Sequence, residues 1–155
     1  MTDDVAGCLA CDLTAGRADL PGGRIHATEH WAVEHCIGPL GAGTLIVKPI
    51  RHCLHVWELT DDETEELGLL LRQTTETVRQ LAEADQVYVC LWSFAGWQPG
   101  HIHFVLQPVW EHTQERHEHP GPCHQRDMFH ANELPSRAEV EAFSKRARTM
   151  FGATQ

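Results

Sequence analysis

The sequence contains no apolar run approaching the roughly 18 residues that a membrane-spanning helix needs. No apolar segment follows the acidic start Met1-Thr2-Asp3-Asp4, so no secretory leader is read there. Positive charge is scarce: 12 Lys and Arg stand against 22 Asp and Glu, for a formal net charge of −10. Such a chain does not wrap nucleic acid through a broad basic face. A small phosphorylated ligand stays admissible, because a few local donors can dominate a cleft. Internal repeats and low-complexity tracts are also missing. These absences point to a soluble cytoplasmic protein without nucleic-acid or membrane partners. Its six cysteines are then not expected to form a disulfide framework.

What is present is ordinary in bulk and unusual in detail. The 155 residues, 42% hydrophobic and 22% charged, suit one domain over 1–155 with its own core. Histidine is abundant, with twelve copies, and each can be a ligand, a base or a surface group near neutral pH.

The clearest element is a long helix. Thr60 and Glu63 form a capping box, Asp61 and Asp62 complement the N-terminal dipole, and Leu67, Leu70, Leu71, Thr74, Val78 and Leu81 share one face. Short β-rich runs precede it at Ile25–Glu34 and Thr44–Val47. Gln86–Phe94 and His101–Val109 read as strands after it. Residues 110–134 carry five histidines, Cys123 and Pro120-Gly121-Pro122 without periodicity, and read as a long loop. Ser136 with Glu139 opens a C-terminal helix over 136–151. The order implies an α+β fold on an antiparallel sheet.

The chemistry concentrates on one strand. At period two, His101, His103, Val105 and Gln107 share a face, and Ile102, Phe104 and Leu106 form the apolar one. Two imidazoles roughly 6–7 Å apart then face one cleft, a spacing that suits a phosphate-sized group or a metal. The Gly96-Trp97-Gln98-Pro99-Gly100 turn lets backbone and side chains approach a ligand closely. At the other end of the chain, Cys8 and Cys11 offer two thiolates from one turn, a spacing that fits tetrahedral zinc.

The segment Ala95-Gly96-Trp97-Gln98-Pro99-Gly100-His101-Ile102-His103-Phe104-Val105-Leu106-Gln107-Pro108 resembles the signature of the histidine-triad superfamily. Gly43-Thr44-Leu45-Ile46-Val47-Lys48-Pro49-Ile50-Arg51-His52 resembles a second block of that family. Cys8-Leu9-Ala10-Cys11 resembles the start of its zinc-binding bacterial branch. The resemblance spans roughly residues 6–110. It implies a histidine-triad-like sheet with a long central helix, a homodimer, and a nucleotide or other phosphorylated small molecule as partner. It further implies His103 as the nucleophile that attacks the α-phosphorus, forming a nucleotidyl-histidine intermediate. A structural zinc on Cys8, Cys11, His52 and His101 is implied too, with Cys53 and His55 as neighbouring candidates for the third ligand. The 112–130 histidine cluster with Cys123 is a rival metal site. Substrate contacts are expected from Ser93, Trp97, Gln98 and Gln107.

Three departures from the family pattern are visible. Val105 stands where a third triad histidine is expected, and Gln107 is the polar group two residues on. Cys36 stands near the family's ribose-binding acid, flanked by Glu34 and His35. Cys90-Leu91-Trp92-Ser93-Phe94 replaces an Asn-rich segment. The alternatives to a nucleotide hydrolase or transferase are therefore a protein that binds a phosphorylated or other small ligand with altered chemistry, or a specialised-metabolism enzyme using the same cleft differently.

Overall fold

A computed structural model describes residues 4–91, 99–112, 121–132 and 134–153. Five strands form one antiparallel sheet: β1 Arg24–Ala27, β2 Trp31–His35, β3 Leu45–Pro49, β4 Gln86–Leu91 and β5 Phe104–Val109, in the order β1-β2-β3-β5-β4. The helices are α1 Leu9–Thr14, α2 Asp61–Ala82, α3 Pro122–Ala131 and α4 Arg137–Ala153. The α+β fold on an antiparallel sheet is thus as expected.

The central strands β2, β3 and β5 are buried on both faces, and the two faces differ. Trp31, Val33, Leu45, Val47 and Leu106 point toward α2 and α4, where Leu70, Val78, Phe143, Ala147 and Phe151 complete the main core. On the opposite face, Cys36, Leu40, Ile46 and Val105 pack with Met128 of α3 in a smaller cluster. The period of two on β3 and β5 therefore sorts apolar residues between two cores rather than between core and water.

The capping box of α2 forms as read: Glu63 N donates to Thr60 Oγ1, and Glu63 Oε2 accepts from Thr60 N. The Glu63 carboxylate also holds Arg51, with Nε at 2.6 Å, and Trp31 Nε1 donates to Glu63 O at 2.9 Å. The helix start is thereby fastened to β2 and to the segment after β3. Arg51 at its side keeps the Glu63 carboxyl below the ordinary carboxylate range.

Two expectations need correction. The 110–134 region is not all loop, because Pro122–Ala131 is helical, with Pro122 in its first turn. Its buried residues are His124, Gln125 and Met128. Two of the three are polar, so no apolar stripe marked the helix. The second correction concerns His101–His103, which precede β5 instead of belonging to it. Ile102 N donates to Cys53 O at 2.9 Å, so this stretch is held by the segment after β3 ahead of the ladder.

Candidate functional site

Four side chains distant in sequence converge. The ligand atoms of Cys8, Cys11, His52 and His101 all lie within 4.8 Å of one another. Cys8 Sγ is 3.5 Å from His101 Nδ1, and Cys11 Sγ is 3.4 Å from His52 Nδ1 and 3.7 Å from His101 Nδ1. They arrive from three anchors. Cys8 immediately precedes α1 and Cys11 sits in its first turn. Beside His52, Arg51 is clamped by Glu63, and His101 leads toward β5.

The chemistry of the set fits zinc. Metal–sulfur bonds of about 2.3 Å and metal–nitrogen bonds of about 2.0–2.1 Å at tetrahedral angles give a sulfur–nitrogen edge of about 3.6 Å. The observed separations straddle that value. His101 Nε2 donates to Pro49 O at 3.1 Å, which places the hydrogen on Nε2 and turns the Nδ1 lone pair toward the thiols. Burial pushes the Cys11 thiol up to about 11 and His101 down to about 4. Both shifts favour the neutral forms of Cys11 and His101, and a bound cation would draw the Cys11 thiol into its thiolate.

Cys53 and His55 do not join this quartet. Cys53 Sγ lies 3.3 Å from the His55 carbonyl oxygen, and the His55 ring stacks on Trp57 at 4.3 Å. Of the rival cluster, His117 and His119 lie outside the described residues. His124 is buried against Tyr88, with ring centroids 6.5 Å apart.

Beside the quartet opens a cleft of about 1120 Å³, walled by Glu34, Lys48, His55, Trp57, His103 and Val105 among others. Its rim carries exposed Leu9, Leu54 and Phe129, and Trp57 is 81% exposed. His103 Nδ1 lies 3.2 Å from the His101 carbonyl oxygen and donates to it. The tautomer is then fixed, with the Nε2 lone pair free to act as a nucleophile or base.

The fold is shared by known structures. A Zn-bound histidine triad family protein from Mycobacterium smegmatis superposes with TM-score 0.69 at 17% identity, covering 96% of this chain and 98% of that one. The fold is that of the histidine-triad proteins. A hypothetical histidine triad nucleotide-binding protein from Sulfolobus tokodaii strain7 gives TM-score 0.71 at 18% identity, covering 94% of this chain and 93% of that one. The Plasmodium falciparum diadenosine triphosphate hydrolase gives 0.62 at 14% identity, covering 84% and 76% respectively. No protein-family model matches the sequence, and no curated protein matches it significantly.

Within this histidine-triad fold, the remaining expected site residues are placed unequally. Ser93, Trp97 and Gln98 lie outside the described residues. Gln107 does not face the cleft. It is fully buried under α3, where Nε2 reaches Met128 Sδ at 2.8 Å and Oε1 has no partner among the described residues. The expected substrate contact is replaced by an interior one, because α3 closes over that end of the strand. Val105, in the third-histidine position, is 4% exposed and packs in the smaller core.

Two wall residues were missed as a pair. Glu34 Oε1 and Lys48 Nζ form a buried ion pair at 2.6 Å. The signal was a charged residue inside each of two apolar strands, and pairing them requires the β2–β3 register. His35, beside Glu34, faces the main core instead. Its ring donates from Nδ1 to Cys36 O at 2.7 Å and accepts from Gly43 N at 2.9 Å. Gly43 has φ +89, and a Cβ there would come within 3.1 Å of Phe143, so this turn into β3 requires glycine.

Proposed function

We propose that this protein is a nucleotide phosphohydrolase or nucleotidyl transferase that works through a covalent nucleotidyl-histidine at His103. One observation carries the reading: His103 Nδ1 is committed to the His101 carbonyl, leaving Nε2 as a lone-pair nucleophile at the wall of an open cleft. In the first step Nε2 forms a bond to phosphorus, and the leaving group departs with the electron pair of its own bond. In the second, water or another acceptor attacks phosphorus, and the P–N bond returns its electrons to the imidazole. Ser93, Trp97 and Gln98 belong to the proposal as substrate contacts. The fold shared with a nucleotide-binding protein and a diadenosine triphosphate hydrolase supports this class of substrate.

Cys8, Cys11, His52 and His101 would hold zinc. Four protein ligands close the coordination sphere, so the metal supplies structure, not Lewis acidity. It would fix the direction of His101 and, through its carbonyl, the tautomer of His103. The proposed unit is one histidine-triad-like domain that dimerises, which sedimentation would check.

The burial of Val105 and Gln107 favours a second reading, a protein that binds a phosphorylated ligand without turning it over. Neither residue offers a donor to a leaving group. A calorimetric titration with nucleoside monophosphates, run beside a product assay on dinucleoside polyphosphates and nucleoside phosphoramidates, separates the two. Turnover abolished by His103→Ala supports the enzyme, and binding with no product in the wild type supports the alternative.

A further inference from the structure

The Lys48 ammonium bridges two groups. Its Nζ is 2.6 Å from Glu34 Oε1 and 2.9 Å from the carbonyl oxygen of Ala10. Ala10 lies between Cys8 and Cys11, and its carbonyl also accepts from Thr14 Oγ1 at 2.8 Å. Lys48 immediately precedes Pro49, whose carbonyl accepts from His101. The β2–β3 register pairs Ala32 with Lys48 and Glu34 with Ile46. Glu34 and Lys48 are therefore diagonal neighbours on the cleft face. Lys48 and His103 are the next residues beyond the Val47–Phe104 pair that ends the β3–β5 ladder.

The pair is fully interior, with side-chain exposures of 1% for Lys48 and 4% for Glu34. Burial of this depth makes its geometry costly to disturb. Yet Glu34 Oε2 has no hydrogen-bond partner among the described residues, although Glu34 lines the cleft. A buried carboxylate oxygen left unpaired costs stability unless something else answers it. One oxygen of Glu34 is thus tied through Lys48 to the Cys-x-x-Cys turn, and the other is buried behind the cleft wall.

We propose that the Glu34–Lys48 pair couples the Cys8–Cys11–His52–His101 centre to the cleft. Ala10 would be fixed by a cation held on Cys8 and Cys11, its carbonyl holds Lys48, and Lys48 sets where Glu34 stands in the cleft wall. Lys48 and Glu34 act here as positioning residues. By linkage the influence runs both ways, so changing Glu34 alters the centre that it does not touch. The inference rests on the metal reading above.

The test is a double-mutant cycle on zinc affinity, measured by chelator competition on the full chain with Lys48→Met, Glu34→Gln and the double variant. Lys48→Met should weaken zinc about 10- to 100-fold, the range for losing a hydrogen bond from a charged donor. Glu34→Gln should weaken it in the wild-type background and add nothing in the Lys48→Met background. In the wild type, exchange of the Lys48 Nζ protons with solvent should quicken when zinc is chelated, at a temperature where the β3 and β5 amides stay protected. Unchanged zinc affinity in both single variants, or additive losses in the double variant, overturns the coupling while leaving the zinc centre standing. Failure of the wild type to bind zinc overturns the metal reading and the coupling with it.

Discussion

If the quartet holds zinc as proposed, removing it should lower the melting temperature by an amount that can be worked from the fold. The quartet joins α1, the segment after β3 and the segment before β5, with sequence separations of 41 and 93 residues between paired ligands. No such site exists in an unfolded chain, so binding free energy becomes folding free energy. At free zinc a thousandfold above its dissociation constant, the gain is about 4 kcal/mol. At about 2.1 cal/mol/K of unfolding entropy per residue, the 155-residue chain should then lose about 13 °C on complete chelation. The assay is scanning calorimetry of native protein with and without chelator, beside a Cys8→Ser/Cys11→Ser variant. The variant should melt near the chelated wild type and ignore chelator. A wild-type shift below about 2 °C, or an equal chelator response in the variant, refutes the reasoning.

Other outcomes follow from single sites. Breaking the buried pair with Lys48→Met should cost about 3–5 kcal/mol in denaturant unfolding, whereas Lys48→Met with Glu34→Gln should recover most of that loss. If the double variant is as unstable as the single, the ion-pair account fails. His35 is held neutral by burial, which lowers its pKa from the ordinary value of 6.5. The unfolded chain therefore binds a proton first, so stability is full above about 6.5 and falls as pH drops through the lowered value. The denaturation midpoint of the zinc-loaded wild type should decline over that window more steeply than that of His35→Gln; parallel profiles contradict the assignment. Gln107→Leu removes a buried unpaired oxygen, so stability should hold or rise by up to about 1 kcal/mol with KM unchanged. A raised KM would restore Gln107 as a substrate contact.

Particular elements show why some of this was legible from residues alone. The α2 boundary was readable because the Thr60–Glu63 box is local chemistry, complete within four residues. The Cys8–Cys11–His52–His101 quartet was readable only because its members sit in separate short motifs whose resemblance is specific, since nothing local joins Cys8 to His101. Helix α3 escaped notice because its inward residues, His124 and Gln125, are polar, and periodicity arguments count apolar ones. The Glu34–Lys48 pair escaped for a related reason. Charge on alternate strand positions reads as a solvated face, and only the closure of α1 and α3 over that face reveals it as interior. Gln107 misled in the same way: its alternation with Phe104 and Leu106 is real, but the face it shares is covered.

The nucleophile itself is the point to test. Wild-type protein mixed briefly with a nucleoside phosphoramidate and quenched should carry one nucleotidyl group, located on His103 by peptide mass spectrometry and absent in His103→Ala. A label on another residue, or turnover that persists undiminished in His103→Ala, would contradict the account.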